Sequence, residues 1–207
     1  MPTPPDDDDF PPATKPELDS CRRCDLWQEG TQGVPGAGGV RAKILLVGEQ
    51  PGDEEDRQGR PFVGPAGQLL QRAIAEAGLA PGDVFLTNAV KHFHNEPRGK
   101  RRLHKTPAQR HIDACRVWLE QEIAKLKPRV IVALGATALK GVMEARLKVG
   151  EARERTLRHA SGARVLATYH PSAALRVPDR DAREALYASI VADLRKAAAL
   201  AKRNADG

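Results

Sequence analysis

The sequence lacks the features that would place the protein in a membrane, in a secretory pathway or among dinucleotide-binding enzymes. No apolar stretch approaches the roughly 18–20 residues that a transmembrane helix needs. No cationic start followed by an apolar core marks a signal peptide, so we expect a cytoplasmic protein with no membrane partner. No Gly-x-Gly-x-x-Gly pattern follows the first predicted strand, where the residues are GEQPGDEE, and this argues against a dinucleotide site.

Cysteine is scarce, with three residues in a chain of 207. Cytoplasmic thiols stay reduced, so we expect metal binding or catalysis before a disulfide. Cys21 and Cys24 form a Cys-x-x-Cys pair in a predicted loop, whereas Cys115 falls in a predicted helix. Zinc, an iron–sulfur cluster, a redox dithiol and a buried thiol beside an unused pair all remain open. Three cysteines leave a four-coordinate site one ligand short, and the candidates for the fourth ligand are His92, His94 and His111.

The composition suits one folded domain with a basic surface. Hydrophobic residues make up 41% of the chain, and Lys and Arg number 33 against 27 Asp and Glu, a net charge of +6. Such a balance suits a phosphate-bearing partner, although a solvated basic face explains it equally well. The first residues, PTPPDDDDFPPATKP, are acidic and rich in proline. They predict a disordered tail over residues 1–17, followed by a single domain over residues 18–203.

Apolar runs alternate with segments of helical spacing along the chain. Predicted strands cover residues 42–48, 83–90, 129–135 and 163–169, and predicted helices cover residues 68–77, 106–125, 136–145 and 181–202. Polar loops are expected after the first two strands. This alternation favours an α/β fold with a parallel sheet that is covered on both faces. Ligands of such folds sit beyond the carboxyl ends of the strands, and polar segments stand there: GEQPGDEED, NAVKHFH and HPSAALR.

Seven segments, taken in order, resemble the family 4 uracil-DNA glycosylases: GEQPGDEED, PFVGPAGQLL, TNAVKHF, KRRLHKTPAQ, ACRVWL, ALGATAL and HPSAALR. The KRRLH segment resembles, more narrowly, the UdgX branch of that superfamily. The similarity runs from about Cys21 to about Leu194. It implies a three-layer αβα sandwich around a four-stranded, mainly parallel sheet. It also implies a monomer that acts on uracil-containing DNA and accepts single strands.

The resemblance further implies a 4Fe–4S cluster. Its ligands would be Cys21, Cys24, His92 and Cys115. Ordinary family 4 members carry a cysteine where this sequence has His92, and histidine replaces cysteine on iron in Rieske centres. The implied role of the cluster is structural, because it would tie the N-terminal loop to the helix that carries Cys115.

A uracil pocket is implied by three segments. Chemistry on a base requires that the base leave the stack, and reading uracil needs an amide and an aromatic face. By resemblance Asn88 binds the uracil edge, Phe62 stacks on the ring, and His170 donates to uracil O2 as charge builds. Gly48 lets the backbone approach the ligand. The structural alternatives are a turn-forming Asn, a core Phe and a loop His.

The first loop carries the carboxylates for the reaction. Cleavage of a glycosidic bond builds positive charge on the sugar, which Glu49 and Asp56 would stabilise. Gln50 stands where common family 4 members have a small residue, so it would crowd out or position the hydrolytic water. Glu54 and Glu55 are expected to be solvated. Ser172, at the start of a predicted helix, would meet a DNA phosphate or simply cap that helix.

His104 is the nucleophile that the UdgX resemblance implies. After uracil leaves, its imidazole would capture C1′ and leave a covalent protein–DNA link after a single turnover. Neighbouring cations disfavour a protonated ring and would hold phosphates: Lys100, Arg101, Arg102 (which would also brace the loop) and Lys105. Without the resemblance, His104 would be a DNA-contacting loop residue. Three alternatives remain: a multiple-turnover glycosylase, a non-catalytic module that binds uracil-containing or abasic DNA, and a redox or zinc protein unrelated to DNA.

Overall fold

Four buried apolar strands lie side by side at the centre of the computed structural model, which describes residues 14–143, 145 and 147–202. The strands, in chain order, are β1 (Ala37–Gly38), β2 (Ile44–Gly48), β3 (Val84–Asn88), β4 (Asn95–Arg98), β5 (Arg101–His104), β6 (Val130–Leu134), β7 (Leu157–Arg158) and β8 (Arg164–Thr168). The helices are α1 (Thr14–Asp19), α2 (Asp53–Gln58), α3 (Pro65–Glu76), α4 (Gln109–Leu126), α5 (Ala136–Met143), α6 (Val149–Arg153), α7 (Pro171–Arg176) and α8 (Arg180–Lys202). No helix among the described residues is long and apolar enough to cross a membrane.

The main sheet has the order β1-β3-β2-β6-β8-β7. Its four central strands run parallel, with β2 paired to β3 on one side and to β6 on the other. The predicted α/β class and its four-stranded parallel centre are therefore confirmed. Two edge strands of two residues each, β1 and β7, add antiparallel pairs and extend the sheet to six strands. Elements this short leave no periodic pattern in a sequence, so they were not predicted.

Helices cover both faces of the sheet, which makes three layers. Leu46 of β2 packs in the cluster that includes Leu70 of α3 and Leu194 of α8. Its neighbour Leu45 packs in the opposite cluster, with Leu119 of α4. Because both faces are buried, the central strands are apolar throughout rather than alternating. Each fully buried leucine contributes about 1.5–3 kcal/mol through removal of its side chain from water.

Two polar segments that were predicted as loops are ordered elements. The segment DEEDRQ forms α2, whose first turn is acidic, as the helix dipole favours. Glu55 was expected to be solvated but is buried, because its carboxylate accepts hydrogen bonds from the backbone amides of Gly52 at 3.0 Å and Gly64 at 2.8 Å. Farther along, β4 and β5 form an antiparallel hairpin that turns at Gly99, where φ is +60°. Most of its side chains are exposed, so no apolar alternation predicts it.

Most of the predicted disordered N-terminal tail, residues 1–13, lies outside the described residues. Its last four residues, 14–17, are in α1. Leu18 of this helix is fully buried, and Lys15 pairs with Asp19 one turn later at 2.6 Å. The start of α4 also differs from the prediction. This helix begins at Gln109 rather than at residue 106, because Nδ1 of His111 caps it by accepting a hydrogen bond from the Ala108 amide at 3.2 Å.

Candidate active site

The carboxyl ends of the central strands open into a cavity of about 770 Å³. This is where open α/β sheets bind their ligands, and the volume lies within the range of roughly 300–1,000 Å³ found for ligand pockets. The predicted site residues among those that line it are Glu49, Gln50, Phe62, Asn88, His104, His170 and Ser172. The structure thus brings together side chains from five separate segments of the sequence.

A buried amide and an aromatic ring meet at Gly48. Asn88 ends β3 directly opposite Gly48, which ends β2. A Cβ atom on Gly48 would lie 2.3 Å from Asn88 Oδ1 and 2.6 Å from Phe62 Cζ. Only glycine therefore lets the amide and the ring approach the strand end this closely. Phe62 itself has φ of +57°, a left-handed conformation that is uncommon for a bulky residue and that is found at functional sites.

Gly67 supports this unusual backbone, and the sequence patterns did not single it out. A Cβ atom on Gly67 would lie 1.9 Å from the carbonyl oxygen of Phe62. The first turn of α3 can therefore pack directly on the Phe62 backbone only if residue 67 is glycine. The ring of Phe62 faces that of His170, with centroids 6.4 Å apart and planes inclined by 29°.

Glu49 lies between two hydrogen-bond partners. Its Oε1 lies 3.1 Å from Nε2 of His104, and its Oε2 accepts a hydrogen bond from the hydroxyl of Thr137. Burial alone would raise the pKa of Glu49, but the hydrogen bonds from His104 and Thr137, with the positive charges of His104 and His170 when protonated, lower it below its ordinary value. Glu49 is therefore an ionised carboxylate at neutral pH, which suits stabilisation of a cationic sugar. Thr137 was not predicted, since nothing in the sequence places it beside Glu49.

His104 reaches the cavity from the hairpin. It is the last residue of β5, and successive residues of a strand point to opposite faces. Arg102 and His104 therefore face the first loop, whereas Leu103 between them is exposed on the other side. The imidazole is half exposed and lies at the cavity wall, where a ligand can reach it.

Arg102 joins the hairpin to α2. Its Nε donates to Asp53 Oδ1 and its Nη1 to Asp56 Oδ2, both at 2.6 Å. Partial burial would lower the pKa of Arg102, but these two bonds raise it above its ordinary value. Asp56 is fully buried, accepts from the Thr31 amide, and is not among the residues that line the cavity. The carboxylate of Asp56 thus binds the Arg102 guanidinium, whereas its part in the reaction and the bracing role of Arg102 stay predictions.

Gln50 closes the base of the same hairpin. Its Oε1 accepts from the His94 amide at 3.2 Å, and its Nε2 donates to the carbonyl oxygens of His94 at 3.1 Å and Lys105 at 3.3 Å. Gln50 was predicted to crowd out or position water. In the structure, both ends of its amide form hydrogen bonds with the backbone of His94 and Lys105, at the end of the hairpin that carries His104.

His170 is a neutral imidazole at physiological pH. Burial lowers its pKa to about 4, although the charge of Glu49 opposes this effect. Its Nδ1 accepts a hydrogen bond from the Ser172 amide at 3.2 Å, so the proton of the neutral ring belongs on Nε2. The ring therefore offers an N–H donor on the side away from Ser172. The Ser172 hydroxyl lies 2.8 Å from the same Nδ1 and accepts from Arg176 at 3.0 Å.

The hairpin also carries the predicted cationic residues. Lys100, Arg101 and Lys105 are exposed. Arg101 stands directly opposite Arg98 in the register of the hairpin. Like charges in that position repel each other and destabilise a hairpin, and an anion bound between them would relieve the repulsion. This arrangement suits contact with phosphates.

Two of the four predicted cluster ligands are in contact, and none of the four lines the cavity. The Cys115 thiol donates to Cys24, which lowers the pKa of Cys24 to about 6, while the same bond and burial raise that of Cys115. Cys21 and His92 are also buried. Over the described ranges, no group of three or more His, Cys, Asp or Glu could hold a single metal ion. The other two candidate ligands are engaged elsewhere: His94 contacts the Thr106 carbonyl, and His111 accepts from the Ala108 amide.

Comparison with known proteins identifies the family. A model of the uracil DNA glycosylase superfamily matches residues 35–195. The chain belongs to this superfamily. The type-4 uracil-DNA glycosylase of Pyrobaculum aerophilum is 40% identical over 168 residues, 78% of this chain and 82% of the relative. That of Thermotoga maritima is 36% identical over 184 residues, 88% of this chain and 90% of the relative. The resemblance seen in the sequence is thus confirmed at the level of the superfamily.

Membership of the uracil-DNA glycosylase superfamily accounts for the position of the cavity. The matched region begins before β1 and ends within α8, so it contains all four central strands and every residue that lines the cavity. Cys21 and Cys24 precede it. The two further residues that the geometry adds to the site, Gly67 and Thr137, both lie inside it.

Proposed function

We propose that this protein excises uracil from DNA and is then captured covalently on the abasic site through His104. This is the reaction that the resemblance to the UdgX branch implies. The observation that carries this proposal is the 3.1 Å contact between His104 Nε2 and Glu49 Oε1 at the wall of a cavity that also contains an amide and an aromatic ring. Activity on uracil is supported by the relatives, which are named type-4 uracil-DNA glycosylases.

Recognition of the base would use three side chains. The amide of Asn88 can donate and accept at once, which matches the uracil edge, and the face of Phe62 would stack on the ring. His170, with its proton on Nε2, would donate to uracil O2. A hydrogen bond from this neutral donor becomes stronger as negative charge develops on uracil. It therefore stabilises the transition state more than it stabilises the bound, uncharged base.

Cleavage breaks the bond between N1 of uracil and C1′ of the sugar. The electron pair leaves with uracil, which becomes an anion, and positive charge spreads over C1′ and the ring oxygen. The ionised carboxylate of Glu49 would stabilise that charge. The hydrogen bonds that keep Glu49 ionised are already in place before the reaction, so no reorganisation is needed.

Capture follows when His104 attacks C1′. An imidazole nitrogen that carries no proton supplies the electron pair of the new bond, and the proton on the other nitrogen passes to water, which leaves a neutral alkylated ring. The contacts of Arg102 and Gln50 would hold the hairpin so that the imidazole meets C1′ before water does. Phosphates on either side would be held by Lys100, Arg101 and Lys105, with Ser172 at the other wall.

A 4Fe–4S cluster would be held by Cys21, Cys24, His92 and Cys115. The donor set fits, because two of the thiols are already in contact and the other two donors are buried close to the same loop. The charges of Asp19, Arg22 and Asp56 all influence His92, so this imidazole lies near the loop of Cys21. A four-iron cluster is wider than one ion and takes thiolate and imidazole ligands. When bound, it would tie the N-terminal loop to α4 and to the segment that follows β3 without entering the reaction.

The decisive experiment mixes purified protein with a single DNA strand that contains one uracil, and resolves the products on a denaturing gel. We expect a shifted band that resists heat and detergent, and its loss in His104→Ala with uracil release retained. Repeated uracil release without a band would establish a conventional multiple-turnover glycosylase. Neither band nor release would favour a binding module. The same sample should be a monomer by size-exclusion chromatography and should show the visible absorbance of iron–sulfur rather than the colourless spectrum of zinc.

A further inference from the structure

The carboxylate of Glu49 is held on both of its oxygens by residues from different elements. Thr137 is the second residue of α5 and is buried. Its hydroxyl donates to Oε2 of Glu49, whereas Oε1 lies next to Nε2 of His104. Rotation of the carboxylate would break either bond, so the pair of partners fixes where Oε1 points.

The sheet places this hydroxyl. β2 and β6 are parallel neighbours in register, with Val47 opposite Ala133. Glu49 leaves the end of β2 while α5 starts after the end of β6, so the first turn of α5 arrives beside Glu49. Gly135 allows the tight connection, since its φ is +90° and a Cβ atom there would lie 3.1 Å from Cβ of His170. The contact therefore follows from buried strands rather than from a mobile loop.

The direction of the hydrogen bond is also informative. A threonine hydroxyl within a helix ordinarily donates to a carbonyl of the preceding turn. In the first turn of α5, Thr137 instead donates outward to Glu49, and the positive end of the helix dipole favours the same carboxylate. A carboxylate accepts a hydrogen bond more strongly than a neutral carboxyl group does, so this contact stabilises the charged form of Glu49.

We propose that Thr137 is a positioning residue of the reaction, which keeps Glu49 ionised and directed at the sugar while His104 moves from Glu49 to C1′. This inference rests on the proposed function. When the imidazole leaves Oε1, the bond from Thr137 to Oε2 remains and prevents the carboxylate from turning away. The role holds for a covalent capture and for attack by water alike, because both pass through a cationic sugar.

A merely structural role for Thr137 would have different consequences. It would lower the stability of α5 and leave the titration of Glu49 and the rate at saturating DNA unchanged. The positioning role predicts a raised pKa of Glu49 and a slower reaction. The charged and titratable groups that face Glu49 are His104 and His170, and the same cavity is lined by Asp53, Glu54, Glu55 and Arg176.

The test compares Thr137→Val, which keeps the shape and removes the donor, with Thr137→Ser, which keeps the donor. The matched control is Thr168→Val. Thr168 is also fully buried at a strand end and donates to a carboxylate, Asp193 Oδ2 at 2.6 Å, but does not line the cavity. Two quantities are measured: the pKa of Glu49 by carbon NMR of labelled glutamate carboxyls, assigned with Glu49→Gln, and the single-turnover rate of uracil excision against pH with a saturating DNA strand.

We expect Thr137→Val to raise the pKa of Glu49, to move the acidic limb of the rate profile to higher pH, and to slow excision by at least about tenfold with unchanged DNA affinity. Thr137→Ser should recover most of the rate, and Thr168→Val should change neither quantity. An unchanged pKa of Glu49 in Thr137→Val would overturn the inference. The NMR result needs no activity, so it decides the role of Thr137 even if the wild-type protein released no uracil, an outcome that would overturn the proposed function instead.

Discussion

Arg102 Nη1 lies 2.6 Å from Oδ2 of the fully buried Asp56, and this pair joins the hairpin of His104 to α2. Nε of the same guanidinium binds Asp53. The planar guanidinium therefore donates to two carboxylates at once, through two different nitrogens. A lysine at this position has one charged nitrogen on a flexible stem and cannot reproduce the fork.

We therefore expect Arg102→Lys to form the covalent adduct roughly 100-fold more slowly, because a displacement of about 1 Å at a reacting group has an effect of that size. The rate is measured on denaturing gels with enzyme in excess over the uracil strand. Leu103→Ala is the control, since its side chain lies on the opposite face of the same strand. Equal rates in Arg102→Lys and the wild type would show that the hairpin is held by other contacts.

The site has no room for a side-chain carbon at Gly48. In Gly48→Ala the new methyl group would overlap Asn88 Oδ1 and Phe62 Cζ, so either the amide or the ring must move. We expect uracil excision to fall by more than tenfold while the protein still folds. The control is Gly82→Ala, where a Cβ atom would meet nothing within 4 Å. Excision in Gly48→Ala at the wild-type rate would argue that these two side chains do not hold the base.

His170 makes the stability of the fold depend on pH. Its pKa is about 4 in the folded protein and about 6.5 when unfolded, because burial disfavours the charged ring. The unfolded chain therefore binds the extra proton first, so this contribution to stability is complete above about pH 6.5 and is lost as the pH falls towards 4. The groups that face the ring are Glu49, Arg176 and His104.

We expect urea unfolding of the wild type to lose more free energy between pH 7 and pH 5 than that of His170→Gln, which has no titrating ring. Circular dichroism follows the unfolding of both proteins in the same buffers. Identical losses would mean that His170 titrates normally in the folded state.

The sequence patterns predicted the long, continuously buried elements of this fold. Continuous apolar runs predict β2, β3, β6 and β8, and the rule that ligands bind at the carboxyl ends of parallel strands predicts the edge where the cavity lies. The hairpin and α2 could not be predicted, because their charged residues are ordered by tertiary bonds such as those of Arg102 and Glu55. These bonds join residues that are far apart in sequence, and no local period records them.

The site was predicted to the same extent. Asn88 and His170 could be named because each stands in a motif at a strand end, and Phe62 because it stands in the motif before α3. Thr137 could not be named, since its role depends on the register of β2 against β6. Asp56 was predicted to act on the sugar; its contact with Arg102 could not be predicted, because it joins residues that are far apart in sequence.

The exposed cations of the hairpin should contribute affinity without base preference. Two charges are removed in Lys100→Ala/Arg101→Ala, and each phosphate contact to a single strand contributes about −0.7 to the slope of log K against log salt. The slope should therefore become less steep by about 1.4, measured by fluorescence anisotropy with a strand that contains thymine in place of uracil. Lys125→Ala, at the end of α4 and away from the cavity, should leave the slope unchanged. A slope unaltered in the hairpin variant would exclude these residues as phosphate contacts.

Lys91 and Glu122 form a buried ion pair. The ammonium is fully buried and lies 2.8 Å from Glu122 Oε2, and Thr87 and the Gly36 amide complete the bonds of the carboxylate. Removal of one partner leaves an uncompensated buried charge, so Lys91→Met should lower the free energy of unfolding by about 3–5 kcal/mol. Lys91→Met/Glu122→Gln should recover part of this loss, because no charge is then left without a partner.

The comparison that makes this test informative is the exposed pair of Lys148 and Glu151, at 3.4 Å. The same change there, Lys148→Met, should alter stability by less than about 0.5 kcal/mol, since solvent screens an exposed pair. Urea unfolding measures both. Visible absorbance is followed in the same samples, since Lys91 precedes His92 and a lost cluster would otherwise be mistaken for a lost ion pair. A double variant as unstable as Lys91→Met, with its absorbance intact, would show that Lys91 contributes packing or hydrogen bonds rather than charge.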